Sequence, residues 1–306
     1  MPRANAGGAA NVALWSAAML PESARARGKL HLRYEDVAQD GRLLLEAIPV
    51  ALGVVWRELT LPPEVRTDLL AKGVIPILTR FEIEGTPGPF PVEGHLDVEG
   101  GYTLACTADP ARVLLDMDVS VHGKKGRTNL PPPDDAGALV PAGTLRAEHV
   151  FTRPFAPPEA RRVEALELGG RSFVPSARRA WRAPITALDA PPGARALDAD
   201  WVDDPVAWVM GLTHTDSNQH VNSLVYPRLF EEAALRRLAA HGRSTSVLAR
   251  SLDIAFRRPS FAGERLRAVA RLWEHEGKAI CTGAFFADGD PIDLAKARVY
   301  VRIALD

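Results

Sequence analysis

Cysteine is scarce in this chain: 306 residues carry two, Cys106 and Cys281. They lie far apart, with neither the close spacing of a metal or redox pair nor the density of a disulfide framework. Each sits in an apolar, strand-like stretch, so the expectation is two buried, reduced thiols in a cytoplasmic protein. An excess of one charge is lacking too. Thirty-seven Lys and Arg stand against 38 Asp and Glu, for a formal net charge of −1. The arginines are dispersed, which removes the electrostatic footprint of a nucleic-acid binder. No apolar run is long enough to cross a bilayer, so no membrane span is expected. Residues 12–20 weakly imitate the apolar core of a secretion signal, but only Arg3 precedes them. A frayed or docked N-terminal segment is the expectation there. What remains is ordinary globular composition, 46% hydrophobic and 25% charged, long enough for about two domains without disulfide or metal staples.

Pro, Gly and Asp gather in residues 130–143 and 190–200, which read as loops or linkers. They separate two stretches with the same order of elements. In the first, residues 29–37 read as a strand and Asp40-Gly41 as a turn. Leu44, Ile48, Leu52, Val55 and Leu59 then recur at helical spacing. Extended segments follow at 74–84, 94–98, 102–107 and 113–122. In the second, residues 206–212 read as a strand, 214–222 as a polar loop and 223–240 as a helix. Tyr226, Phe230, Ala234 and Leu238 fall four apart on one helix face, and charged residues take the others. Pro227 is compatible because it falls in the first turn. Alternating strands follow around Ile254, Ala268, Ala284 and Val301, with turns at Glu276-Gly277 and Asp288-Gly289. Each helix has one apolar stripe and no second helix to bury it, so a sheet must cover it. The pattern predicts an α+β protein built from one such unit made twice. Trp56, Trp208 and Trp273 are expected in its core.

The densest polar cluster, His214-Thr215-Asp216-Ser217-Asn218-Gln219-His220-Val221-Asn222, directly precedes the second helix. A helix N-terminus presents unpaired N–H groups and partial positive charge, suited to a developing oxyanion. In an extended loop, Asp216, Asn218 and His220 alternate onto one side, as a carboxylate orienter, an amide donor and a base. Capping alone is the competing explanation, though one residue would suffice for it. The corresponding run of the first stretch, residues 34–43, has neither His nor Asn. Its Glu35, Asp36 and Asp40 read as strand-end and turn carboxylates, and one competent site per chain is expected. His214 with His220 and Asp216 fits no standard zinc spacing, so neither metal nor cofactor is expected.

The run from Asp216 to Asn222, with Tyr226 four residues on, resembles the motif of plant and bacterial acyl-acyl carrier protein thioesterases. Residues 252–263 (LDIAFRRPSFAG) resemble that family's next strand. Arg33-Tyr34-Glu35 and Glu46 resemble its N-terminal part, and Thr152-Arg153-Pro154 with residues 158–163 its connection. The resemblance implies a tandem (double) hotdog, each unit a long helix wrapped by an antiparallel sheet. Residues 28–165 would be an N-terminal hotdog with a degenerate site, 166–200 a linker, and 201–306 a C-terminal hotdog with the active-site motif. Asp216, Asn218 and His220 would be catalytic, and Asn222, Ser223, Tyr226 and Ser260 would contact substrate. In the family a Glu-Cys pair follows the double arginine, and the Glu is considered catalytic. Here Arg257-Arg258 is followed by Pro259-Ser260, so the acid is absent. Ser260 is either a turn residue or a group that positions water. Glu231 or Glu232 on the helix is a candidate replacement, against the reading that Glu232 and Arg236 form a solvated i,i+4 pair.

The leading expectation is hydrolysis of an acyl thioester of acyl carrier protein or coenzyme A to free acid and thiol. One alternative is another hotdog reaction, dehydration or isomerisation of an acyl intermediate in polyketide or fatty-acid tailoring. Another is a non-catalytic module that binds an acyl group or a carrier protein. A tandem hotdog supplies its own helix pairing, so a monomer and a homodimer both remain open.

Overall fold

The computed structural model of the chain describes residues 21–59 and 62–306; the signal-like segment 12–20 lies outside them. The first half comprises β1 (Ser23–His31), α1 (Val50–Glu58), α2 (Pro63–Ala71), β2 (Ile75–Gly85), β3 (His95–Ala108), β4 (Ala111–Lys124) and β5 (Leu139–Thr152). Four short strands follow, β6 (Leu166–Leu168), β7 (Arg171–Phe173), β8 (Ala177–Arg178) and β9 (Arg195–Ala196). The second half comprises β10 (Val202–Val209), α3 (Val225–Ala240), β11 (Ala249–Phe256), β12 (Arg265–His275), β13 (Lys278–Ala287) and β14 (Val299–Leu305).

The main path of the sheet runs β1-β3-β4-β5-β2-β11-β14-β13-β12-β10. Read outward from its centre, each side has the same order: helix-following strand, last strand, two middle strands, first strand. The halves are therefore one topology used twice, joined where β2 pairs antiparallel with β11, Ile83 opposite Leu252 and Phe81 opposite Ile254. This is a tandem hotdog. Helix α1 lies on β1, β3 and β4, and α3 on β11, β12 and β14. Tyr226, Phe230, Ala234 and Leu238 are all buried, as their spacing predicts. Gly283 on β13 lets α3 approach closely, because a Cβ there would lie 2.4 Å from the Phe230 ring.

Charge also fixes the seam between the halves. Arg80 on β2 makes a two-pronged contact with Asp253 on β11, at 2.6 and 2.5 Å, with side chains only 3% and 6% exposed. Arg302 on β14 adds a third bond to Asp253, at 3.0 Å.

Several expected boundaries shift. The segments 94–98 and 102–107 are one strand, because Gly100 and Gly101 continue the ladder opposite Val119 and Asp118. Residues 139–143 begin β5, so the Pro-rich segment before them lies inside the first half, not between the halves. Strand β1 ends at His31, and Tyr34–Asp36 forms a 3-10 turn. Strand β10 starts at Val202 and ends at Val209, and Pro205 falls within its register shift. Helix α2 was not foreseen: of its PEVRTDLLA sequence only Leu69 is buried, which leaves little periodicity to read. The first-half helix α1 is only nine residues long. Trp56 and Trp208 pack half-buried against the core, and half-buried Trp273 donates its N–H to Thr282 at 3.0 Å. Both cysteines are free and buried, and burial pushes the Cys281 thiol well up. No described helix is long and apolar enough to cross a membrane.

Candidate active site

The polar run between β10 and α3 is a tight hairpin, not the extended loop expected from alternation. A 3-10 turn over Leu212–His214 leads into a bridge between Thr215 and Val221. Within it the Asp216 N–H donates to the His220 carbonyl at 3.1 Å, and the Gln219 N–H to the Asp216 carbonyl at 2.9 Å. Gln219 closes the turn at φ 66°, a left-handed conformation costly for a residue with a Cβ. The chain reverses here because Asp216 takes the Asn218 N–H on its own Oδ1 at 2.8 Å, which favours a turn over a strand.

This fold brings Asp216 and His220 together across the hairpin. Oδ1 of Asp216 lies 4.0 Å from Nδ1 of His220, and Oδ2 accepts from Nδ2 of Asn222 at 3.3 Å. Nδ1 of His220 is also 3.4 Å from the Val221 carbonyl. In the tautomer that carries its proton on Nδ1, the Val221 carbonyl is the acceptor and Nε2 is left unprotonated. Asn218 sits exposed at the tip, and its side chain has no hydrogen bond among the described residues.

Asn222 ties the hairpin to the helix. Its N–H donates to the His214 carbonyl at 2.9 Å. Its Oδ1 accepts from the Leu224 N–H at 2.8 Å, and its carbonyl from the Val225 N–H at 3.0 Å. These bonds shape the turn that enters α3, whose N-cap, Leu224, has no side-chain cap of its own. The Ser223 N–H has no hydrogen-bond partner among the described residues. It is a free donor at the positive end of α3.

Ser260 lies behind the hairpin, fully buried. Its carbonyl accepts from the Val221 N–H at 2.7 Å, and its hydroxyl accepts from Arg298 at 3.3 Å. Tyr226 is buried beside it, its phenol pushed up by that burial, with its ring edge-on to Phe285 at 5.4 Å. Both support the loop from within. Glu231 and Glu232 are placed elsewhere. Oε1 of Glu231 accepts from the Ala249 N–H at 2.8 Å, and burial raises its carboxyl, with the nearby charge of Glu46 adding to the effect. Glu232 is 3.9 Å from Arg236, whose closer partner is Asp204 at 3.0 Å.

The first half repeats the hairpin without its chemistry. Val37 bridges Leu43 as Thr215 bridges Val221. Ala38 N–H donates to the Arg42 carbonyl at 2.8 Å, Gly41 N–H to the Ala38 carbonyl at 2.9 Å, and Leu44 N–H to the Asp36 carbonyl at 2.9 Å. Gly41 takes the left-handed position held by Gln219. At this constant offset Ala38, Asp40 and Arg42 stand where the second half has Asp216, Asn218 and His220. Arg42 grips Asp40 at 2.6 Å, so the pair that could hold a base is absent. The same offset matches Asp36 to His214. Asp36 accepts the Arg33 N–H at 2.8 Å, and Nδ1 of His214 accepts the Gly211 N–H at 2.9 Å. His214 therefore caps a turn and keeps its proton on Nε2.

Between the two helix starts lies a cleft of about 370 Å³, lined by Asp36, Glu46 and Val50 from the first half and His214, Leu224 and Arg228 from the second, among others. Asp216, Asn218 and His220 are not in its wall. Nothing in the sequence pattern pointed to this cleft, because its two walls come from segments far apart in the chain.

Residues 218–294 match the profile of the Thioesterase superfamily, which falls on the half that carries the hairpin motif. None of the curated proteins matches the chain in sequence. Solved structures resemble it over nearly its whole length. The 12:0-ACP thioesterase from Umbellularia californica shares 12% identity, covering 92% of this chain and 94% of its own, with a TM-score of 0.59. An acyl-ACP thioesterase from Bacteroides thetaiotaomicron shares 14%, covering 92% and 98%, with a TM-score of 0.53. A Lactobacillus plantarum protein assigned as an oleoyl thioesterase shares 14%, covering 94% and 97%, with a TM-score of 0.60. At such identities the likeness is one of fold.

Proposed function

We propose that the protein hydrolyses an acyl thioester, carried by acyl carrier protein or coenzyme A, to the free acid and the thiol. The superfamily match over residues 218–294 supports thioester hydrolysis. The observation that carries the reading is the Asp216–His220 pair at 4.0 Å, locked in a hairpin beside the free Ser223 N–H. The thioester carbonyl then receives a hydrogen bond from the Ser223 N–H at the positive end of α3 and from the exposed Asn218 amide. Such donors, fixed before charge develops, are worth about 10²–10³ in rate each. His220 orders the attacking water and takes part in moving its proton, with the Asp216 carboxylate 4.0 Å from its ring, a contribution of about 10²–10⁴. Asn222, Tyr226 and Ser260 keep the hairpin in register with the helix.

The site belongs to a C-terminal hotdog of residues 201–306. The N-terminal hotdog, residues 28–165, acts as its structural partner, with 166–200 as the connection. Two buried thiols and the lack of any motif for cofactor or metal support a cytoplasmic enzyme working unaided. The test is release of free thiol from panels of acyl-coenzyme A and acyl-carrier-protein substrates of short, medium and long chain. Turnover on one panel identifies the carrier. A dehydrated or isomerised acyl product with no thiol released would instead establish a different hotdog reaction.

A further inference from the structure

The strand after α3, β11, ends at Phe256, and just beyond it Pro259 stands where the resemblance implied an acid, so the carboxylate that would receive the water's proton has to be sought elsewhere. The carboxylates around the two helix starts can be taken one by one. Glu35 pairs with Arg33 at 3.1 Å, and Asp36 is held by the same guanidinium at 2.8 Å. Glu231 is turned to the Ala249 N–H, and Glu232 lies beside Arg236. Glu264 is bound to Arg298 at 2.5 Å. One remains. Glu46 lines the cleft, is half-buried, and makes no hydrogen bond or ion pair among the described residues.

Its position is informative. Glu46 lies in the 3-10 turn Leu45–Ala47, which leads into α1. By the offset that matches the two hairpins its counterpart is Leu224, which lines the same cleft and adjoins Ser223. The duplicated halves thus place a carboxylate and a leucine at equivalent points of one cavity, and the carboxylate comes from the half without a catalytic hairpin. A half-buried carboxylate that faces a cavity and has no partner within the protein is open to a hydrogen bond from water or substrate.

We propose that Glu46 replaces the missing acid, acting from the first hotdog as the general base for hydrolysis at the second. This rests on the thioesterase reading above. The water oxygen bonds to the thioester carbonyl carbon while its proton passes to the Glu46 carboxylate. The C–S bond then breaks, and the proton moves from Glu46 to the leaving thiolate, restoring the carboxylate and releasing acid and thiol. His220 hydrogen-bonds the water and orders it as the proton leaves, which is its part in the transfer. The N-terminal half is then a contributor to the chemistry and not scaffold alone.

The experiment compares steady-state thiol release by wild type, Glu46→Gln, Glu46→Asp and Glu35→Gln on the acyl thioester that wild type turns over fastest. Melting temperatures serve as a check on folding. Glu46→Gln keeps shape and polarity but cannot take a proton, so kcat should fall about 10²-fold with KM within about twofold. Glu46→Asp should recover part of the loss, and Glu35→Gln, whose partner is Arg33, should stay near wild type. Retention of kcat by Glu46→Gln, or an equal loss in Glu35→Gln, overturns the assignment while leaving the thioesterase reading intact. A wild type that releases no thiol from any substrate overturns both, which is a distinct result.

Discussion

Replacing Asn222 by Ala tests how far the hairpin and the helix start act as one device. Two interactions disappear. The Leu224 N–H loses its acceptor at 2.8 Å, a lost hydrogen bond of about 1 kcal/mol. Asp216 loses a donor at 3.3 Å; because that carboxylate keeps the Asn218 N–H and is 25% exposed, the second loss adds about 0.5 kcal/mol. Together these give about 1.5 kcal/mol, or a melting temperature lower by about 3–6 °C. That leaves the protein folded at 25 °C, so any larger effect on rate is local. With the Leu224 N–H unpaired and Asp216 free to swing, the Ser223 N–H and His220 no longer share a fixed geometry, and kcat should fall about 10²-fold. Asn222→Asp separates the two interactions: it keeps an acceptor for the Leu224 N–H but sets a second carboxylate against Asp216. It should melt closer to wild type yet be as slow as Asn222→Ala. Thermal melts and thiol-release kinetics on the three proteins make the comparison. An Asn222→Ala protein with wild-type kcat would refute the reasoning, because the free N–H would then need no fixed hairpin.

The seam between the halves should be the most sensitive point of the fold. Asp253→Ala leaves Arg80 buried without its partner, so urea unfolding should show a loss of about 3–5 kcal/mol. Burial raises the Glu231 carboxyl, so the folded chain keeps a proton that the unfolded chain gives up. The resulting stabilisation is complete below the ordinary glutamate value and is lost as pH rises through the raised one. Glu231→Gln, which can still accept from Ala249, should therefore flatten the dependence of the urea midpoint on pH across that window. Native protein should show no thiol reactive with a disulfide reagent, and urea-unfolded protein should show two, because Cys106 and Cys281 are both buried. A reactive native thiol would mean that one of these strands opens.

Legibility in the sequence followed the range of the interactions. Helix α3 was plain because Tyr226, Phe230, Ala234 and Leu238 repeat over four turns. The duplicated order of elements was plain because strand periodicity is local. The turn at 216–219 was misread as extended, since alternation of polar types describes residue identity and not the side-chain-to-backbone bond from Asp216 that folds the loop back. Helix α2 buries one leucine and so has no stripe to find. The Asp216–His220 pair proposed as catalytic and the helix start could be read together because they are contiguous. The cleft could not, since Glu46 and Leu224 meet only once β2 and β11 have joined the halves. The offset matching Gly41 to Gln219 was visible only through hydrogen bonds, because the two hairpin sequences share almost no residue.

The most direct measurement is the rate of thiol release for wild type and His220→Ala, on whichever acyl thioester wild type turns over fastest. The hairpin account predicts a kcat lower by about 10²–10⁴ in the variant, with its fold and melting temperature kept because the side chain is 40% exposed and makes no side-chain hydrogen bond shorter than 3.4 Å. Equal rates for the two proteins would contradict it and remove the hairpin from the chemistry.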